Sequence, residues 1–250
     1  MIQEQSMAYR STIYLDWGAF FLLEVPPASI KPFLRAGIEP VLVPSGAAIL
    51  TLNVVNFLQG GDQVDLPANH EIDIGVLVNL DNSEFEADLP QASVAIHVLK
   101  VASTARGYVD LCKDTGYSVI DPAALAFEID PVALTASVRD ADGPILSCRP
   151  LDRELEYGEF RRIGQDVMHD AERGIHRANY IFSGEGLSQP MTDAMELQIH
   201  AHPFFADLGI KPGVLACLDQ FALKPSSRGS LAFYRPNLAE TDETAQATND

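Results

Sequence analysis

The fold is decided by two apolar runs, AAILTLNVVNFL at residues 47–58 and HEIDIGVLVNL at residues 70–80, separated by the polar loop QGGDQVDLPAN. The first run is typical of a mostly buried strand. The second run alternates, as the side chains of a strand do when they point to its two faces in turn. One face carries Ile72, Ile74, Val76, Val78 and Leu80, and the other carries Glu71, Asp73, Gly75 and Leu77.

The rest of the chain also shows short strand patterns bounded by turn residues. Helical periodicity is brief: one short helix is predicted at 29–35, before Gly37, and another runs from Thr104 toward Lys113. Residues 140–143 predict a hairpin turn. Further strands are predicted at 13–25, 93–101, 134–138, 145–148, 175–182, 195–202 and 214–223. The pattern favours a mainly β (α+β) fold, an antiparallel sheet or closed barrel with a few short helices, over a βαβ arrangement.

The domain organisation is expected to be simple. Residues 11–236 are predicted to form one domain, with a flexible arm at 1–10 and a disordered acidic tail at 237–250. Residues 149–173 are charged and are interrupted by Gly158 and Gly164, so no element is assigned to them.

Composition excludes several kinds of partner. The chain has 35 acidic and 17 basic residues, a net charge of −18, which repels phosphate backbones and anionic lipid surfaces. We therefore expect neither nucleic acid nor membrane as a partner. The N-terminus lacks the basic and apolar regions of a secretory signal, which predicts a cytoplasmic protein. Cys112, Cys148 and Cys217 show no C-x-x-C spacing and are expected to be reduced, mostly buried residues.

Common cofactor and metal motifs are missing from the sequence. It contains no glycine-rich phosphate loop, no G-x-S-x-G elbow and no H-E-x-x-H helix, so no cofactor is predicted. His200 and His202 could present two imidazoles on one strand face, but no third ligand is near, and we predict no metal. They are expected to end a strand before Pro203, while His97 is expected to be a hydrogen-bonded core residue.

Several segments resemble acetoacetate decarboxylase. Glu39-Pro40, then an apolar strand, a loop and His70-Glu71-Ile72, are similar to that family's proline-marked entry and glutamate-bearing strand. Residues 106–113 (RGYVDLCK) keep the family's spacing between an arginine and its imine-forming lysine, and residues 202–210 (HPFFADLGI) resemble the segment before its final strand. The resemblance covers most of residues 11–235.

The resemblance implies an acetoacetate decarboxylase-like closed antiparallel β-barrel with a pocket for a small carbonyl compound. It implies Lys113 as the amine that forms an imine (Schiff base) with the substrate, and Glu71 as the residue that moves protons. Arg106 and Tyr108 fall beside the lysine as substrate-binding candidates, and Asn53 falls near a barrel glutamate of the family. It also implies a homo-oligomer. The family's Gly-Phe-Pro-Lys-Lys is replaced here by residues 110–114 (DLCKD), and its carboxylate-binding arginine falls near Ala19.

Each candidate also has an ordinary structural interpretation. Arg106, Asp110 and Lys113 share one face of the predicted helix, as an exposed salt-bridging face would. Lys100 continues the Val94, Ile96 and Val98 face of its strand, so it either points into the pocket as a competing amine or reaches out to water. Glu71 is either a pocket residue or an outward strand residue. Asn53 is either a satisfied buried amide or a hydrogen-bond donor to substrate.

Two functions follow from these candidates. The first is a lyase that acts on a keto or enone compound through an imine on Lys113, by decarboxylation, aldol/dehydration or cyclisation chemistry. The second keeps the fold without imine chemistry, as an acid/base cyclase or isomerase or as a small-ligand-binding protein.

Overall fold

The computed structural model describes residues 5–34, 38–60, 68–79, 94–105, 109–110, 113, 119–120, 125–151, 157–170, 174–187, 194–223 and 227–236. Over 5–11, 13, 94, 119–120, 157, 160–170, 174–182, 186–187, 221–223 and 227–236 it describes the backbone alone. In the described part of the chain no helix is both long enough and apolar enough to span a membrane.

Strands dominate the chain, and the helices are short. The strands are β1 (Gln5–Val25), β2 (Glu39–Pro40), β3 (Ala48–Leu58), β4 (Asn69–Asn79), β5 (Val94–Ser103), β6 (Val119–Ile120), β7 (Ala126–Asp130), β8 (Thr135–Asp140), β9 (Gly143–Pro150), β10 (Tyr157–Asp170), β11 (Gly174–Leu187), β12 (Met195–Ile199), β13 (Gly213–Leu215), β14 (Asp219–Leu223) and β15 (Ser227–Pro236). Helix α1 (Pro27–Ile30) runs into a 3₁₀ turn (Lys31–Phe33), and α2 (Pro203–Ala206) follows β12.

Seven strands pair in a circuit that returns to its starting point. β1 pairs with β3, β3 with β4, β4 with β5, β5 with β10, β10 with β11, β11 with β15, and β15 with β1. β14 joins β1 and β11 as well. We call this circuit the strand ring. Most of its pairings are antiparallel, but β5 pairs with β10 and with β6 in parallel.

One face of β1, β3 and β4 packs against a second sheet, which has the strand order β13-β12-β9-β8-β7. Every second residue over 17–25 of β1, 48–54 of β3 and 72–78 of β4 belongs to one apolar cluster together with residues of β8, β9 and β12. Burying a large aliphatic or aromatic side chain contributes about 1.5–3 kcal/mol, so this face holds the two sheets together. We call it the core face. It includes Trp17, Ala19, Phe21, Leu23, Leu50, Leu52, Val54, Ile72, Ile74 and Val76.

The opposite face of the same strands is also buried, although it lies outside that cluster. Since the strand ring closes and its core face packs against the second sheet, we infer that this face turns toward the interior of the ring. We call it the interior face. Its apolar members are Phe20, Val55, Leu77, Ile96, Val98 and Val101.

A β-bulge in β5 changes which residues share the interior face. In the pairing of β4 with β5, Ile74 is opposite Lys100 but Gly75 is opposite Val98, so Leu99 is the extra residue. A bulge of this kind reverses the alternation of the strand. Ile96 and Val98 lie on the interior face, whereas Leu99 belongs to the core-face cluster.

Helix α2 is attached to both sheets. At its N-terminus His202 accepts a hydrogen bond from the backbone N–H of Phe204 and bonds through Nε2 to Asp140 of β8 at 3.0 Å. At its C-terminus Asp207 forms an ion pair with Lys100 of β5. Phe204 and Phe205 pack into the core-face cluster.

Most predicted elements are confirmed. The mainly β class is correct, as is the hairpin at 140–143, which joins β8 and β9. The predicted strand 214–223 is two strands, β13 and β14. Residues 5–10, predicted to be part of a flexible arm, belong to β1 and pair with β15. The unassigned stretch contains β10. The predicted tail at 237–250 lies outside the described residues.

Two of the three cysteines are described, and both are buried free thiols. Burial raises the pKa of the Cys148 thiol to about 12 and also raises the pKa of Cys217. The reactive thiolate is therefore scarce at either position at neutral pH. Cys112 lies outside the described residues.

Gly75 is a position where a side chain does not fit. A Cβ atom there would overlap Ile96 Cγ2 and lie 3.1 Å from the backbone oxygen of His97. We expect Gly75→Ala to lower the free energy of unfolding by about 1–3 kcal/mol, as overpacking does. Urea denaturation followed by circular dichroism measures this.

The double variant Gly75→Ala/Ile96→Ala is the control, because it removes the atom nearest to the new methyl group. The two changes should be less than additive. Strict additivity would show that the two positions do not contact each other.

His70 links the strand ring to the second sheet. Its ring stacks on Phe127 of β7, with centroids 5.3 Å apart. Burial lowers the pKa of His70 below its usual value of 6.5, and the nearby carboxylate of Asp16 opposes this shift. The unfolded chain therefore binds a proton at this residue more readily than the folded chain does.

The pH dependence of stability should reveal this difference. The contribution of His70 is fully present above about pH 6.5 and is lost as the pH falls through the folded pKa. His70→Phe keeps the ring stack and removes the titration, so its free energy of unfolding should fall less between pH 7.5 and pH 5. Equal slopes in the two proteins would contradict the assignment.

Candidate functional site

Polar side chains cluster on the interior face at the centre of β3, β4 and β5. Asn53 of β3 is directly opposite Asp73 of β4, and Glu71 of β4 is directly opposite Ser103 of β5. Residues two apart on a strand lie on one face about 7 Å apart, so Glu71 and Asp73 bring two carboxyl groups to the same wall.

The Asn53–Asp73 pair is the centre of this cluster. Asn53 Nδ2 donates a hydrogen bond of 2.5 Å to Asp73 Oδ1. Asn53 is buried and Asp73 is only partly buried. The amide therefore fixes the orientation of a carboxylate that a small molecule inside the strand ring could reach. Of the two interpretations of Asn53, the structure supports the satisfied amide.

Glu71 lies deeper than Asp73. Its side chain is buried, so the alternative of an outward strand residue is wrong. Ser103, opposite it, is fully buried and accepts a hydrogen bond from the backbone N–H of Ala105 at 3.3 Å. Glu71 therefore lies beside Asp73 on the interior face, but it is less exposed than Asp73.

The wall around the pair is apolar. Phe20 of β1 is opposite Asn53, and Val101 of β5 is opposite Asp73. Asn53 and Val98 each keep 9% of their surface exposed although they face the ring interior, which indicates space beside the carboxylate. An apolar lining with a few fixed polar groups is typical of small-molecule sites.

Lys113 does not lie on the interior face. It is exposed and helical, and the neighbouring helical residue Asp110 is exposed as well. An exposed amine lacks the burial that an imine-forming lysine needs to lose its proton at neutral pH. The position of Lys113 therefore matches the interpretation as part of an exposed helix face. Arg106 and Tyr108 lie outside the described residues.

Lys100 lies on the core face, and the prediction that it continues the Ile96 and Val98 face is wrong. The bulge at Leu99 reverses the alternation between Val98 and Lys100. Lys100 Nζ donates hydrogen bonds to the Phe204 backbone oxygen at 3.0 Å and to Asp207. With only 12% of its side chain exposed, it holds α2 against β5 and is not available as an amine in the strand ring.

A cluster of possible metal ligands lies elsewhere, at the β8–β9 turn. Ligand atoms of Asp140, Asp142 and His202 are within 4.8 Å of one another. His202 Nδ1 accepts the Phe204 N–H, so Nε2 carries the proton and donates it to Asp140. Burial alone would raise the pKa of Asp140, but the hydrogen bond and charge of His202, together with hydrogen bonds from the backbone N–H groups of Asp142 and Gly143, lower it below its usual value. A metal on His202 would have to break the helix cap, and we assign the cluster to structure.

Other histidine predictions can be placed as well. His97 is buried, and its Nε2 lies 3.2 Å from the backbone oxygen of Phe33, as expected for a core histidine. His200 follows the end of β12. His97 is opposite Val76 of the core face, and His200 lies outside the strands of the ring, so neither lies on the interior face.

Sequence reasoning missed Asp73 as a site residue. The alternation of β4 already placed it on the face of Glu71, but its importance depends on the register that brings it opposite Asn53. The sequence signal that could have found it is one acid and one amide at interior positions of two neighbouring strands.

Comparison with known proteins identifies the fold. No family model and no curated protein sequence matches the chain. Among solved structures, an acetoacetate decarboxylase has a TM-score of 0.58 at 7% identity, over 91% of this chain and 88% of that protein.

A second group of similar structures comes from the enduracididine biosynthesis enzyme MppR. Its complex with pyruvate has a TM-score of 0.52 at 11% identity, over 92% of this chain and 89% of that one. Its HEPES-bound structure has a TM-score of 0.52 at 9% identity, over 92% and 86%. At such low identities the similarity concerns architecture. The chain therefore has an acetoacetate decarboxylase-like fold.

Proposed function

We propose that this chain is an enzyme that binds a small carbonyl compound inside the strand ring and moves a proton at the carbon next to the carbonyl, with Asp73 as the base. The observation that carries the proposal is the Asn53–Asp73 hydrogen bond, which fixes a partly exposed carboxylate in an apolar interior. Removal of such a proton is the first step of aldol, dehydration, isomerisation and cyclisation reactions.

Acid/base chemistry is favoured over imine chemistry by the positions of the lysines. Lys31, Lys113 and Lys211 are exposed, and Lys100 is bound to α2. None of these four described lysines lies on the interior face. A carboxylate that acts as general base typically contributes about 10²–10⁴-fold to rate.

The fold is compatible with carbonyl ligands. Pyruvate is the ligand bound to MppR in one similar structure. Pyruvate and acetone are therefore suitable probes, one anionic and one neutral. The net charge of −18 favours the neutral ketone.

Proton exchange at the ketone measures the proposed chemistry. In D₂O, the protein should accelerate loss of the acetone or pyruvate methyl signal in proton NMR spectra. Asp73→Asn should reduce this acceleration by about 10²-fold or more, because an amide cannot take up the proton. Asp110→Asn, a change at an exposed aspartate, is the control and should exchange at the wild-type rate. Equal rates for Asp73→Asn and wild type would refute Asp73 as the base.

Imine chemistry is tested separately by borohydride reduction in the presence of pyruvate, followed by mass spectrometry of the peptides. We expect no reduced adduct on Lys113, and we expect Lys113→Ala to keep the exchange activity, because the residue is exposed on a helix and lies off the interior face. An adduct on Lys113 that disappears in Lys113→Ala, together with loss of exchange, would instead establish the imine mechanism.

A further inference from the structure

The interior face is closely packed near Ile96 and more exposed near Asp73. Along β4, the interior residue after Asp73 is Gly75, and the side chain of Ile96 lies over it, so that a Cβ atom at Gly75 would overlap Ile96 Cγ2. The exposed fraction falls from 9% at Val98 to 2% at Ile96. The accessible space beside Asp73 therefore ends at Ile96.

Thr51 lies on β3, across Gly75 from the Ile96 side chain, which we call the barrier. It is opposite Gly75 on β3, is buried, and its Oγ1 lies 3.2 Å from the position that a Gly75 Cβ atom would take. Only 1% of the Thr51 surface is exposed, so the interior face is closely packed at this position.

We propose that Ile96 is a specificity-determining residue, which limits how far a ligand extends along the interior face beyond the Asn53–Asp73 pair. This inference rests on the proposed function in that it places a carbonyl ligand beside Asp73. Residues 73 and 75 are about 7 Å apart along the strand. The ligand class is therefore a short, unbranched carbonyl compound whose alkyl end lies against Ile96 and Val98.

A series of unbranched methyl ketones from acetone to 2-octanone tests the limit. Dissociation constants from ligand-observed NMR should fall by roughly fourfold per added methylene group, up to a length beyond which binding weakens. Ile96→Ala should move that limit by about three carbons, because it removes three carbon atoms from the barrier. Should Ile96→Ala not fold, Ile96→Val should still move the limit, by about one carbon.

Ile72→Ala is the matched control. It makes the same truncation at an equally buried isoleucine of β4, on the core face. It should lose stability and leave the length limit unchanged. A folded Ile96 variant whose limit equals that of wild type overturns the inference, and so does an equal movement of the limit in Ile72→Ala.

The same ketones separate this inference from the proposed function, because proton exchange is measured on the same samples. A length limit that moves in Ile96→Ala without any catalysed exchange supports the barrier and refutes the base. Catalysed exchange with an unchanged length limit supports Asp73 as the base and refutes Ile96 as the barrier. Absence of ketone binding to wild type and variants alike overturns both.

Discussion

The register between β3 and β4 is the constraint on which the rest of the structure depends. Both faces of these strands are buried, one against the second sheet and one inside the strand ring. A slip of one residue would exchange the two faces. It would carry either Asn53 or Asp73 into the apolar cluster and bring either Leu52 or Ile72 into the ring. The packing of the two sheets and the carboxylate of the site are therefore fixed by one and the same pairing.

Polar contacts complete this arrangement where apolar packing cannot. The short helix α2 is too small to be stable by itself, since isolated helices need more than a dozen residues. It is held by His202 to Asp140 at one end and by Lys100 to Asp207 at the other. These bonds join β8 of the second sheet to β5 of the strand ring. Lys100, which is cationic, thus supports the architecture, while the described site is built from acids and amides.

Local patterns predicted the parts of this molecule that obey regular alternation. The two faces of β4, and hence the shared face of Glu71 and Asp73, follow from period-two patterning. The pairing of β3 with β4 could not be predicted in this way, because no local sequence pattern near Asn53 specifies that Asp73 lies opposite it. β10 was missed because its charged residues, Arg161 and Arg162 among them, and its glycines hide a strand that is fixed by pairing with β11 and β5. The exposure of Lys113 was foreseen only as one of two alternatives, since spacing alone cannot tell a helix face in water from one in a pocket.

The bulge at Leu99 shows how little separates two arrangements of the interior face. One extra residue in β5 is what turns Lys100 away from the interior and toward α2. If β5 kept all its residues but paired with β4 without the bulge, regular alternation from Val98 would place Leu99 opposite Ile74 and Lys100 opposite Asp73, and the ring would contain an amine beside a carboxylate. The presence or absence of this one bulge, with the sequence of β5 unchanged, therefore decides which face of the sheet carries an amine.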